Sequence, residues 1–94
     1  MTYNLEFVPS AYKEWNKLGS TIKSQFKNKL AERILNPKVL KDRLSGHPNL
    51  YKIKLRTAGY RLVYAVNDNT ITLLVLSVGK RNRSEVYIKA FDRL

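Results

Sequence analysis

The chain has 94 residues, which suits one domain with a modest core, and it lacks cysteine, so disulfides and thiol chemistry are excluded. Eighteen Lys+Arg against seven Asp+Glu give a formal charge of +11. That balance is silent on fold but favours an acidic partner, nucleic acid above all.

Tyr3, Leu5 and Phe7 alternate with Asn4 and Glu6, which predicts a first strand with one buried face. Pro9-Ser10 ends it, and Ser10 is placed to cap a helix in which Tyr12, Trp15 and Leu18 recur at helical spacing. Gly19 is expected to close that helix at its C-terminus, with Ser20 or Thr21 opening a second. Ile22, Phe26, Leu30 and Ile34 form the apolar stripe of the second helix, and Pro37 stops it. Arg33 falls inside this arc, where it either snorkels to the surface or meets an acid. Lys23, Lys27 and Lys29 read as a wet face.

Residues 38–49 form a basic connector with Leu40 and Leu44 as anchors. His47, the sole histidine, stands beside Pro48 in a turn and reads as a surface residue rather than a general base.

Residues 51–64 read as two strands joined at Thr57-Ala58-Gly59, where glycine can take a positive φ. Alternation sends Tyr51, Ile53 and Leu55 one way and Lys52, Lys54 and Arg56 the other. A two-residue loop at Ala58-Gly59 would pair Arg56 with Arg61 and Leu55 with Leu62, gathering four cations on one face. Like charges opposite one another destabilise a sheet, so the cluster is either a solvated outer face or a site for a polyanion.

Asn67-Asp68-Asn69 makes the next turn. Residues 71–78 are apolar on both faces, which predicts a central strand between the 60–66 strand and the first strand. That run is also far too short to cross a bilayer, and no basic stretch followed by an apolar one opens the chain. A cytoplasmic protein with no membrane partner is expected, organised as one domain over 1–94. Gly79 then leaves the sheet, and Ser84 caps a short final helix whose inward row is Val86, Ala90 and Leu94. Tyr87 and Phe91 make a second pair at helical spacing; from spacing alone Tyr87 is as readily a core residue as a site residue. With so few apolar anchors, this helix is expected to be the loosest element. Between Lys52 and Arg83 there are seven Lys or Arg residues and a single acid, Asp68. The positive charge is thus concentrated where the sheet is built.

Four stretches carry a resemblance: Lys-Glu-Trp-Asn-Lys-Leu-Gly19, Tyr-Lys-Ile-Lys-Leu-Arg56, Gly-Tyr-Arg-Leu-Val-Tyr64 and Val-Gly-Lys-Arg-Asn-Arg-Ser-Glu-Val-Tyr87. Together the chain resembles, over essentially its whole length, the RelE toxins of bacterial toxin–antitoxin pairs. The resemblance implies an α+β, microbial-RNase-like fold of order βααβββα: an N-terminal strand, a helical hairpin, a three-stranded antiparallel meander and a short C-terminal helix. It implies an endoribonuclease that cuts messenger RNA in the ribosomal A site and is neutralised by a RelB-like antitoxin. Ribosomal RNA and message are then partners, and operator DNA is met only through the antitoxin complex. The family's working set falls on Lys52, Lys54, Arg61, Arg81 and Tyr87, with Arg56, Lys80 and Arg83 as further RNA contacts. Ser45 stands where relatives often carry arginine, which bears on a contact to RNA but not on the cutting chemistry.

RNA cleavage by its own 2′-hydroxyl needs a base, stabilisation of the phosphoryl oxygens, and an acid for the 5′-oxygen. The hairpin offers only lysine, arginine and tyrosine for these tasks, and no cofactor or metal is expected. A free lysine, with a pKa of roughly 10.4, is almost wholly protonated at neutral pH. A like charge about 7 Å away along a strand adds about 0.6 kcal/mol of repulsion in water and about 2.4 at an effective dielectric of 20. One neighbour is therefore insufficient to make a lysine a base, whereas a partly buried cluster can. Arg61 suits the phosphate oxygens, Arg81 the leaving side, and Tyr87 the 2′-hydroxyl or a stacked base. Such a site should be slow on free RNA and need the ribosome to set the 2′-oxygen in line. The competing reading is a nucleic-acid-binding or regulatory module without catalysis. A metal-dependent nuclease is set aside because it would need carboxylates here.

Overall fold

The structure, a computed structural model, describes residues 2–80 and 85–94. Four strands and three α-helices follow in the expected order: β1 (Asn4–Phe7), α1 (Pro9–Asn16), α2 (Ser20–Arg33), β2 (Leu50–Leu55), β3 (Tyr60–Asn67), β4 (Thr72–Lys80) and α3 (Glu85–Asp92). A 3-10 turn, Leu40–Asp42, interrupts the connector. The sheet order is β1-β4-β3-β2, with β1 parallel to β4 and the other neighbours antiparallel. β4 is central, as its two apolar faces require.

One face of the sheet packs on α1 and α2. Ala11, Trp15, Phe26 and Leu30 bury themselves there against Tyr51, Ile53, Leu62, Tyr64, Leu73 and Val75. Truncating a side chain such as Phe26, fully buried at 0% exposure, is expected to cost about 3–5 kcal/mol. The opposite face carries a smaller cluster, in which Val86 and Ala90 of α3 cover Leu50, Val63 and Leu76. The switch between faces depends on a bulge. Val63 pairs with Ser77 but Tyr64 with Val75, so Leu76 is an extra residue in β4. Leu76 and Ser77 consequently both serve the α3 side, where Ser77 Oγ donates to the Val86 carbonyl at 2.6 Å.

Several local expectations are corrected. Helix α1 begins at Pro9 with Val8 as its N-cap, and Ser10 lies inside the first turn, because proline needs no amide partner there. Gly19 is the N-cap of α2, at φ −64°, and not a left-handed C-terminal cap. Tyr12, Leu40 and Leu94 are exposed, at 53%, 72% and 69%, so none of them anchors the core. Gly79 and Lys80 stay within β4, opposite Arg61 and Tyr60. The Ser84 cap lies outside the described residues. At the other end of β4, Ile71 precedes the strand at φ +50°, a strained value for a β-branched residue. No described helix is long and apolar enough to cross a membrane.

Candidate active site

The β2–β3 turn sets the site. Arg56 to Gly59 form a four-residue loop, closed by the Gly59 amide donating to the Leu55 carbonyl at 2.8 Å with Gly59 at φ +72°. The pairing is therefore Lys54 with Arg61, Ile53 with Leu62 and Lys52 with Val63. This corrects the expected pairing of Arg56 with Arg61: Arg56 sits exposed in the loop. The register has moved by two residues, so every side chain that stays in the strands keeps its expected face. Lys52, Lys54 and Arg61 share one face, and each is half-buried.

Tyr87 joins them from α3. Its phenol oxygen accepts from Arg61 Nη1 at 2.9 Å, and the guanidinium carbon lies 5.5 Å from its ring centroid. Tyr87 is thus brought onto the cation face and held there by Arg61, although it is half-buried as a core residue would be. It reaches that place because Val86, its neighbour in sequence, is buried against the sheet, with its Cγ2 3.6 Å from where a side chain on Gly79 would begin.

The electrostatics follow from the crowding. Lys52 foremost, then desolvation and the charges of Arg61 and Arg56, push the Lys54 ammonium below the ordinary lysine range. The crowding accordingly favours release of a proton from Lys54. Arg61 presents a planar donor fork that can hold two phosphoryl oxygens.

Of the further residues named from the sequence, Lys80 pairs with Tyr60, whose side chain packs on the α1–α2 side. Alternation therefore places Lys80 on the face away from Arg61, and the cation set does not include it. Arg81 and Arg83 lie outside the described residues. His47 stacks on Phe91 at 4.4 Å and 13°, a packing role one turn beyond Tyr87.

A supporting network was only half foreseen. Arg33 meets an acid: its Nη2 donates to Asp42 Oδ2 at 2.6 Å, and its Nη1 to the Tyr64 hydroxyl at 2.9 Å and the Lys52 carbonyl at 3.3 Å. Tyr64 in turn donates to the Pro37 carbonyl at 2.6 Å. This array ties the backbone beneath Lys52 to α2 and the connector. Its one sequence signal is an arginine within an apolar arc.

The family model described as ParE toxin of type II toxin-antitoxin system, parDE, matches residues 5–85. The mRNA interferase toxin RelE of Escherichia coli (strain K12) is 52% identical over 94 residues, covering 100% of this chain and 99% of the relative. The structure superposes on a free-state E. coli toxin RelE bearing two arginine-to-alanine substitutions, with a TM-score of 0.93, 50% identity and coverage of 100% and 99%. It superposes on a chain of the intact E. coli RelBE toxin–antitoxin complex with a TM-score of 0.82, 51% identity and coverage of 86% and 99%. With a family model spanning most of the chain and a relative matched end to end at this identity, the chain belongs to the RelE toxin family.

Proposed function

We infer that this chain is a ribosome-dependent endoribonuclease toxin that cuts messenger RNA in the ribosomal A site and is neutralised by a RelB-like antitoxin. The observation that carries the reading is the Arg61–Tyr87 contact at 2.9 Å beside Lys54, whose ammonium is pushed down by Lys52 foremost. A tyrosine delivered from a separate helix onto a cation face goes beyond what binding to a phosphate backbone needs.

In the proposed reaction the 2′-oxygen attacks the adjacent phosphorus, the new P–O2′ bond forms and the P–O5′ bond breaks. Neutral Lys54 takes the 2′-hydroxyl proton, assisted by Lys52, whose charge keeps Lys54 poised. Arg61 holds the phosphoryl oxygens as charge builds on them. Tyr87 orients the 2′-hydroxyl or stacks on a base, with its ring fixed by Arg61. Arg81, carried over from the family pattern, stabilises the 5′-oxygen as it leaves, and that oxygen takes its proton from water. Arg56 and Arg83 serve as phosphate contacts. The whole of 1–94 acts as one toxin domain in the cytoplasm, reaching operator DNA only through its antitoxin complex.

The products are then a 2′,3′-cyclic phosphate, or the 3′-phosphate derived from it, and a 5′-hydroxyl. End-group mapping of a message cut on programmed ribosomes tests this. The ends named should appear, and persist in EDTA under conditions where ribosomes are shown to stay intact. A 5′-phosphate product, or loss of cutting in EDTA, would count against the mechanism.

A further inference from the structure

Along the outer edge of β2, beyond the Arg43–Tyr51 bridge, runs a cleft of about 510 Å³, walled by α2 and the 3-10 turn on one side and by the strand on the other. Six of its lining residues are cations: Lys29, Arg33, Lys41, Lys52, Lys54 and Arg56. Its one acid, Asp42, is already committed to Arg33 at 2.6 Å, and that pair is mostly buried, with side chains 13% and 20% exposed. The other five cations make no ion pair among the described residues. A hollow of similar size elsewhere, between the 47–50 loop and the end of β3, is lined by no lysine or arginine.

Five unpaired cations facing one another across a cleft work against folding, and an anion would offset that cost. The cleft is also continuous with the cation face, because Lys52 and Lys54 belong to both and Lys54 stands opposite Arg61. A strand whose scissile phosphate lies at Arg61 can therefore turn over the β2 edge and continue between Lys29, Lys41 and Arg56. We propose that this cleft is a second phosphate track, which takes the ribose–phosphate backbone of an RNA strand beyond the cutting point. The proposal rests on the RNA-cutting reading. It brings in Lys29, which the sequence assigns to a wet face, and Lys41 of the connector.

The test is the binding of wild type and a Lys29→Gln/Lys41→Gln variant to programmed ribosomes across a salt series. Both side chains are exposed, so the fold is expected to survive, which thermal melting verifies. The variant should bind about tenfold more weakly at low salt, and its log–log salt slope should flatten by about 0.7 for each phosphate that is no longer neutralised. Its cutting rate at saturation should be unchanged. Repeating the comparison with messages shortened on either side of the A-site codon identifies the strand. A penalty that disappears with a shortened message assigns the track to the message, and one that persists assigns it to ribosomal RNA. Unchanged affinity and salt slope would overturn the proposal, as would a variant weakened only towards the acidic antitoxin. If wild type binds with the expected slope difference yet cuts nothing, the cleavage reading fails and the track stands.

Discussion

Arg93 and Glu14, seventy-nine positions apart, clasp the two layers of the protein together at the edge of β4. Arg93 Nη1 lies 2.8 Å from Glu14 Oε1 and Nη2 lies 3.1 Å from Oε2. β1 ends at Phe7, so the backbone of β4 beyond Val75 has no strand beside it on that edge. The pair fills the gap: Arg93 donates to the Leu76 carbonyl at 2.8 Å, and Glu14 accepts from the Val78 amide at 3.2 Å. One ion pair thus satisfies the bulge region of β4 and fastens α3, which carries Tyr87, to α1.

Arg93→Ala should therefore loosen α3 more than it destabilises the sheet. The expected cost is about 2 kcal/mol, seen as faster amide exchange confined to α3, since a charge-assisted pair and two backbone partners are removed together. Single-turnover cutting should slow while ribosome affinity changes little. Burial pushes the Glu14 carboxyl up, but the Arg93 hydrogen bond, the Val78 amide and the charges of Arg93 and Lys89 leave it below the usual range. A depressed folded-state pKa means the contribution is complete above the unfolded value of about 4.3 and is lost as pH falls through the folded one. Exchange protection of α3 should accordingly fall in acid below about pH 4.3. Uniform loss of protection over the whole sheet would contradict a local clasp.

Lys52→Ala tests how Lys54 is tuned. Lys52 is the largest cause of the lowered Lys54 pKa, so its removal should raise that pKa. The limb on which cutting rises with pH should move to higher pH, in addition to any fall in rate. A profile that keeps its position while losing amplitude would remove Lys54 from the role of base.

Arg33→Ala should be costly for the fold. It leaves Asp42, only 20% exposed, without its cation and takes a donor from Tyr64. A loss of about 3 kcal/mol is expected in denaturant unfolding, and Tyr64→Phe should cost less because Arg33 keeps Asp42. Equal costs for the two would show that the ion pair contributes little.

The antitoxin has a route to inhibition other than covering the cation face. Helix α3 fully buries only Val86 and Ala90, and is held besides by Arg93, Lys89, the Ser77 hydroxyl, the Arg61–Tyr87 hydrogen bond and the His47–Phe91 stack. An acidic antitoxin segment that competes for Arg93 would free α3 and carry Tyr87 away from Arg61. Amide exchange of α3 should then be faster in the complex than in the free toxin. Equal protection in both states would leave simple occlusion.

Most of the cation face was legible because alternation is insensitive to even shifts of register. The β2–β3 turn proved two residues longer than the shortest loop, yet Lys52, Lys54 and Arg61 stayed on one side. The β4 position followed from its double apolar face. The Arg61–Tyr87 contact had no signal in spacing, since it depends on where α3 docks; the family pattern alone pointed to it. The bulge at Leu76 inserts a residue into an unbroken apolar run, where alternation leaves no mark. Nothing in the spacing of Glu14 and Arg93 marks them as partners, because the edge they fill exists only where β1 ends. Leu40 looked like an anchor on hydrophobicity, but the connector anchors itself through Leu44 and the Arg33–Asp42 pair.

The most direct measurement is single-turnover cutting of a message on programmed ribosomes by wild type and by Arg61→Ala, with binding measured in parallel. Arg61 holds both Tyr87 and, in the proposed reaction, the phosphoryl oxygens. Wild type should cut in the A site, and the variant should bind and fold comparably while its rate falls by at least about a hundredfold, as for loss of one oxyanion-stabilising donor. Near-wild-type cutting by a folded, ribosome-bound Arg61→Ala variant would contradict the account.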